Sequence, residues 1–178
     1  DDRISTLVTI DPDSDAPEHG QEISFQDYFV RLRHGVPVSS IRFDGSAQLT
    51  SQARASLADS SCIVIAPSNP LVSIGPIRSL PGVDDLLAAR RSDVVAISPI
   101  VGGAAIKGPA DRMLVELGHE PSVVGVAELY APIASTLVID IVDAHHAGAV
   151  AATGLRCVVT DTVMSTPAIA RQLALDTL

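Results

Sequence analysis

The sequence predicts an α/β fold built on a mainly parallel sheet, and three observations carry that prediction. Short, strongly apolar runs recur: CIVIAP (residues 62–67), DVVAISP (93–99), TLVIDIVD (136–143) and LRCVVTD (155–161). Loops and helix-patterned segments separate them, and strands alternating with helices are the mark of a parallel sheet. The third observation is composition. The chain is 47% apolar but only 3% aromatic, so its core must be built from Val, Ile, Leu and Ala, the content of parallel strands covered on both faces.

Each element has its own signal. STLVTID (5–11) alternates and reads as a strand, and PDSDAPEHG is a polar Pro/Gly connection. QEISFQDYFVRLRHG begins strand-like and then carries Phe25, Tyr28, Phe29 and Leu32 at helical spacing, which predicts a short amphipathic helix. VSSIRFDG (38–45) is another strand. LTSQARASLADS (49–60) is a helix with Thr50 or Ser51 as N-cap. CIVIAP is a buried strand, and SNPLVSIGPIRSL is a loop leading into a helix. Asp84 to Arg90 is a second short helix, and DVVAISP is the next buried strand. GPADRMLVELG (108–118) is a helix with Pro109 in its first turn, where a missing N–H costs nothing, and Gly118 as its stop. SVVGVAELY is helical, TLVIDIVD and LRCVVTD are strands, and TPAIARQLALDTL is a closing helix with Pro167 in its first turn. Residues 1–178 read as a single α/β domain or as the C-terminal part of a larger protein; the opening Asp1-Asp2 in place of Met points to a fragment or processed piece.

Charge and cysteine usage narrow the function. A net charge of −9 leaves no fold-wide basic footprint for nucleic acid. Cys62 and Cys157 sit in apolar runs without metal-ligand spacing and read as buried free thiols. No apolar run is long enough to span a membrane and no signal peptide is visible, so a cytoplasmic protein is expected.

Ligands of open parallel sheets bind beyond the carboxyl ends of the strands. CIVIAP runs into Ser68-Asn69-Pro70, and DVVAISP runs into a stretch with Gly102-Gly103. If the two strands are neighbours, both loops share one edge. Ser68 and Asn69 then offer hydrogen-bonding groups, although the commoner reading of Ser-Asn-Pro is a plain strand-to-helix connector with Asn as N-cap. Gly102-Gly103 lets a backbone come close to a ligand. Lys107, just before the Gly108-Pro109 helix start, suits a phosphate because exposed N–H groups and the helix dipole add to its charge. A solvated loop lysine is the equal alternative. Neither the Walker A spacing nor the dinucleotide fingerprint is present. Asp140, Asp143 and Asp161 lie at strand ends, where capping is commoner than cation binding. His145 and His146 are adjacent and read as a surface pair, and no Ser-His-Asp arrangement is recognisable.

SNPLVSIGPI followed by ISPIVGGAAIKGPADRM resembles the 2-phospho-lactate transferase family of coenzyme F-420 biosynthesis, as do FQDYFVRLRHGVP and VVTDTVMSTP. The resemblance covers nearly the whole chain. It implies a Rossmann-like three-layer fold and transfer of a phospholactyl or phosphoenolpyruvyl group. The donor it implies is a guanosine diphosphate-linked three-carbon acid, the acceptor the deazaflavin Fo, the released product GMP and the cofactor magnesium. Ser68, Asn69 and Pro70 would meet the guanosine part, and Ser73 would bind the nucleotide. Gly102, Gly103, Lys107 and Gly108 would line the nucleotide or phosphate part, with Lys107 on the leaving phosphate as the catalytic residue. The family's early glycine-rich phosphate loop and the acidic residues of its first half are not in this sequence, and Ile141 stands where an acidic residue is expected by analogy. Metal ligands and acceptor site are therefore expected outside the chain, which alone should be inactive. No membrane or nucleic-acid partner is expected, and a homodimer is left open. The competing expectation is a non-enzymatic nucleotide-sugar-binding regulator of the gluconeogenesis-factor-like family.

Overall fold

The structure, a computed structural model, describes residues 3–106 and 108–178. Strands β1 (Ile4–Ile10), β2 (Glu22–Ser24) and β3 (Val38–Gly45) form an antiparallel sheet in the order β2-β1-β3. Their alternation buries Val8, Ile10 and Val38 on one face. Asp27–Arg31, between β2 and β3, is a π-helical turn rather than the α-helix its spacing predicts: Leu32 N–H reaches Asp27 O, five residues back, at 3.0 Å. Helix α1 (Ser51–Asp59) follows, and Thr50 caps it by accepting from Ala53 N–H at 3.1 Å.

The rest of the chain builds the parallel sheet. Its elements are β4 (Ile63–Ile65), a second π-helical turn at Pro70–Ile74, α2 (Gly75–Arg78), α3 (Val83–Ala89), β5 (Val94–Ile97), the small hairpin β6 (Ile100–Val101) and β7 (Ala104–Ala105), α4 (Ala110–Glu116), α5 (Val123–Tyr130), β8 (Thr136–Asp140), α6 (Ala147–Ala152), β9 (Arg156–Thr160) and α7 (Pro167–Thr177). Strands β4, β5, β8 and β9 pair in that order, all parallel. The expected α/β architecture with helices on both faces is what forms.

Strand periodicity explains the layers. Ile63, Ile65, Val94, Ala96, Leu137 and Ile139 point into the main core with Leu87, Leu114, Val126 and Val150 of the helices. The alternate residues Val95, Ile97 and Val138 face the other way, against Leu173 of α7. Each fully buried Val, Leu or Ile contributes about 1.5–3 kcal/mol before chain entropy is charged against it. A third cluster joins Val8, Ile10, Tyr28 and Val38 of the antiparallel unit to Met113 of α4. Arg112, beside it, donates to Tyr28 Oη at 2.5 Å and to His34 O, and Glu116 Oε2 accepts from Val38 N–H at 3.1 Å. One helix thus holds both sheets.

Some boundaries differ from expectation. The strand in CIVIAP is only Ile63–Ile65, because it is an edge strand with partners on one side; Val64 is 45% exposed. Pro109 stands at the N-cap position of α4 rather than inside its first turn. Gly118 ends that helix as expected: at φ +80 it lets His119 N–H reach Leu114 O at 2.7 Å. Cys62 and Cys157 are free but half-buried rather than buried.

Candidate functional site

Because β4 and β5 are parallel neighbours, the loops leaving them emerge on the same edge of the sheet. A cavity of about 610 Å³ lies there, within the usual range for small-molecule sites. Pro67, Ser68 and Asn69 line it after β4, and Ser98 and Pro99 after β5. Gly108, Pro109 and Ala110 bring in the entry to α4. Thr162 to Ser165 come from the segment after β9, although β9 is the far strand of the sheet. Both π-helical turns also reach it: Phe29 belongs to the first, Val72 and Ser73 to the second. A π-turn costs hydrogen-bond geometry and survives mostly where it serves a site. The two turns pack together through Tyr28, Leu71 and Val72, and both contribute lining residues to the one cavity.

Asn69 organises the β4 side. Its Oδ1 accepts from Leu71 N–H at 2.9 Å and Val72 N–H at 3.3 Å, and its backbone carbonyl accepts from both Ser73 and Ile74 N–H, the second of these being the π bond. The capping reading of Asn69 is realised, and it leaves the amide Nδ2 with only a 3.8 Å contact to Met113 Sδ. The hydroxyls of Ser68, Ser73 and Ser165 hydrogen-bond to no described residue, whereas Ser98 Oγ is held by the Ile100 backbone at 3.1 Å.

Asp140, only 3% exposed at the end of β8, fixes the opposite wall. Its Oδ2 accepts from Thr162 N–H at 2.8 Å and Thr162 Oγ1–H at 2.9 Å, and its Oδ1 caps Val142 N–H at 3.1 Å. Burial by itself would raise the pKa of this carboxyl, but the hydrogen bonds from Val142, Thr162 and Val163 outweigh it and the net shift is downward. Asp140 thereby pulls the post-β9 segment back across the sheet to the cavity. Asp143, also 3% exposed, accepts from Gly102 N–H at 2.9 Å. The strand-end aspartates therefore hold loops, as their commoner reading has it.

Of the residues singled out in the sequence, Ser68, Asn69, Ser73 and Gly108 meet at this cavity. Pro70 faces the other side of its turn, into a more open cavity of about 430 Å³ with Phe43 and Arg78. Gly102 and Gly103 do not line the 610 Å³ cavity. They form the two-residue turn of the β6–β7 hairpin, with φ of 61 and 77, a pair of left-handed angles that glycine adopts without strain. Lys107 lies outside the described residues, but Ile106 and Gly108 on either side of it both line the cavity. It is also the sole lysine of the chain.

Comparison with known proteins agrees with the resemblance. A model of the 2-phospho-L-lactate transferase CofD family matches residues 3–173. The chain belongs to this family. It is 37% identical over 161 residues to the phosphoenolpyruvate transferase of Kitasatospora aureofaciens, covering 88% of this chain and 49% of that protein. It is 35% identical over 168 residues to the 2-phospho-L-lactate transferase of Methanocaldococcus jannaschii, covering 93% and 51%. With the phosphoenolpyruvate transferase of Mycobacterium avium it shares 40% over 143 residues, 79% and 42% of the two chains. The CofD-family chain thus spans about half the length of the curated relatives it matches.

Sequence reasoning missed several contributors to the site in this CofD-family chain. Phe25 and Phe29 were expected on the buried stripe of a helix, yet Phe29 is 40% exposed at the cavity. Ser98, Pro99 and the Thr162–Ser165 segment lie inside the family-like stretches ISPIVGGAAIKGPADRM and VVTDTVMSTP but were not singled out as site residues. Their position just past a strand, together with those stretches, was the signal that could have found them.

Proposed function

We propose that the protein transfers a phospholactyl or phosphoenolpyruvyl group from a guanosine diphosphate-linked donor to the deazaflavin Fo in coenzyme F-420 biosynthesis. One observation carries the reading. In a chain of the CofD family, the loops after β4 and β5 and the entry to α4 meet at one cavity that offers hydroxyl and amide groups on one wall. A hydroxyl oxygen of Fo attacks the phosphorus nearest the three-carbon acid. A new P–O bond forms, the P–O bond to GMP breaks, the hydroxyl proton leaves to solvent and GMP departs. Such a step needs placement and charge neutralisation more than covalent catalysis. Ser68, Asn69 and Ser73 hold the guanosine part in this reading. Lys107 and the α4 entry at Gly108 take the departing phosphate.

Magnesium belongs to the reading, but the described residues do not make a site for it. They contain no group of three His, Cys, Asp or Glu side chains placed to hold an ion, and no carboxylate lines the cavity among them. The reading assigns its ligands to the part of the relatives' length that this chain does not match, and no step above is routed through it. Among the described residues no helix is long and apolar enough to cross a membrane.

Calorimetry and thermal stabilisation of the full-length protein test the proposal. GDP should bind and stabilise, and Fo should bind in addition. Indifference to GDP, or preference for a uridine diphosphate sugar, would refute the transferase reading, the latter in favour of a nucleotide-sugar-binding regulator.

A further inference from the structure

The turn that leaves β8 reverses the usual order of burial. In the 3₁₀ turn Ile141–His146, Ile141 is 63% exposed and Val142 56%, while Asp143 is only 3% exposed. Apolar residues outside and a carboxylate inside need a specific contact to hold them so. That contact is the β6–β7 hairpin. Asp143 Oδ2 accepts from Gly102 N–H at 2.9 Å, in the turn of the hairpin. The two pieces also lie close through carbon, since a Cβ on Gly102 would stand 3.9 Å from Val142 Cγ2.

The hairpin depends on this tether. Each of its strands has only two residues, and so short a pairing is weak on its own. Its base is anchored: Ile100 is fully buried, and its backbone bonds Ser98 Oγ at 3.1 Å. At the tip, Gly102, Gly103 and Ala104 are exposed, and among the described residues Asp143 is the one side chain hydrogen-bonded to them. The Asp143 side is fixed in turn. Asp140 Oδ1 caps the turn at Val142 N–H, 3.1 Å, and Asp140 Oδ2 is held by Thr162. A hydrogen bond to a carboxylate is charge-assisted and stronger than a neutral one. Beyond the hairpin the chain runs through Ile106 and Lys107 to Gly108, and Ile106, Gly108 and Pro109 line the 610 Å³ cavity. Holding the tip therefore sets the direction in which this stretch leaves for the cavity.

Asp143 itself does not line the cavity, and the described residues contain no group of three His, Cys, Asp or Glu side chains placed to hold an ion. Its effect on a ligand passes through the hairpin. Resting on the functional reading above, we infer that Asp143 is a positioning residue: through Gly102 N–H it holds the β6–β7 hairpin, and so places the α4 entry against the phosphate of the departing GMP.

The test uses the full-length protein and compares wild type, Asp143→Ala and Asp143→Asn by hydrogen exchange and by calorimetry with GDP and guanosine. Asparagine keeps an oxygen for Gly102 N–H, and alanine does not. Without ligand, amides of Gly102 to Ala105 should exchange about tenfold faster in Asp143→Ala, and those of Thr162 to Ser165 at the wild-type rate. GDP should bind Asp143→Ala about tenfold more weakly, the cost of one lost hydrogen bond to a charged group, while guanosine binds as it does to wild type. Asp143→Asn should stay within about threefold of wild type in both measurements. If Asp143→Ala does not fold, Asp143→Ser replaces it, its hydroxyl falling about 1 Å short of the contact. Unchanged exchange at the hairpin, unchanged GDP affinity, or an equal loss for GDP and guanosine overturns the positioning role. An Asp143→Asn as impaired as Asp143→Ala overturns it too, by placing the effect in the charge and not in the bond. Wild type that does not bind GDP refutes the functional reading instead, and faster hairpin exchange in Asp143→Ala would still uphold the tether.

Discussion

Asn69 offers the sharpest separation of structure from binding, because one side chain serves both. Its Oδ1 holds Leu71 and Val72 N–H, at 2.9 and 3.3 Å, and so shapes the π-turn that carries Val72 and Ser73 into the cavity. Asn69→Ala removes the acceptor and leaves two part-buried donors without it. An N-cap loss is worth about 1 kcal/mol, and two orphaned donors push it toward about 2 kcal/mol. With a urea slope of about 2 kcal/mol/M, a loss of about 1.5 kcal/mol moves the midpoint down by about 0.7 M. Asn69→Asp keeps an oxygen in the capping position, so its midpoint should stay within about 0.2 M of wild type. The aspartate nevertheless removes the Nδ2 donors and adds negative charge to the wall proposed for a nucleotide diphosphate. Its GDP affinity should fall about tenfold or more, the loss of one charge-sensitive hydrogen bond. Unfolding followed by far-UV circular dichroism, which suits a chain without Trp, and calorimetry with GDP read the two effects separately. An unshifted midpoint for Asn69→Ala would refute the capping role. Undiminished GDP affinity of a well-folded Asn69→Asp would refute the binding role.

Asp140 supplies a pH prediction. Its folded pKa is depressed, so its stabilising contribution is complete above the ordinary aspartate value of about 3.9 and is lost as pH falls through the lower folded value. Asp140→Asn should cost about 2 kcal/mol at neutral pH by turning an acceptor of Thr162 into a competing donor, and should flatten that acid loss; identical acid unfolding curves for the two proteins would contradict it. Lys107→Ala should weaken GDP binding by about 1.5–3 kcal/mol while leaving guanosine unaffected, which paired calorimetry checks. Gly125→Ala should destabilise by about 3 kcal/mol or more, because its Cβ would lie 2.0 Å from Glu120 O; a thermal midpoint equal to wild type would show that the start of α5 gives way easily.

The parallel half of the fold was legible because its strands are short apolar runs, and the central two, β5 and β8, are buried on both faces. CIVIAP, DVVAISP and TLVIDIVD need no partner to be recognised, whereas the neighbourhood of the first two, left conditional in the sequence, is shown by their pairing. The antiparallel unit was not legible as a separate sheet. β1 pairs with both β2 and β3, and the register Ile4↔Gly45 joins residues far apart in sequence that share no local pattern. Gly102-Gly103 suggested a loop open to a ligand, but paired strands of two residues each have no periodicity to reveal the hairpin around them. Phe29 was hidden for a related reason. A π-turn carries one residue more than an α-turn, and at about 100° per residue that is enough to swing a side chain off the buried stripe. At the cavity, the strand ends were readable and the segment after β9 was not. Its arrival depends on Asp140 reaching Thr162 across the chain.

The shared use of α4 has a consequence for how the molecule opens. Ala110 and Leu114 belong to one packed cluster and Met113 to another, while Arg112 ties the same helix to the connection between β2 and β3 and Glu116 ties it to Val38 of β3. Neither sheet can come away without exposing a face of α4. Amide hydrogens of β1 and β3 should then exchange with solvent deuterium at rates that track those of β5 and β8, as one cooperative unit. Arg112→Met would be expected to divide that unit in two, with the antiparallel strands exchanging first.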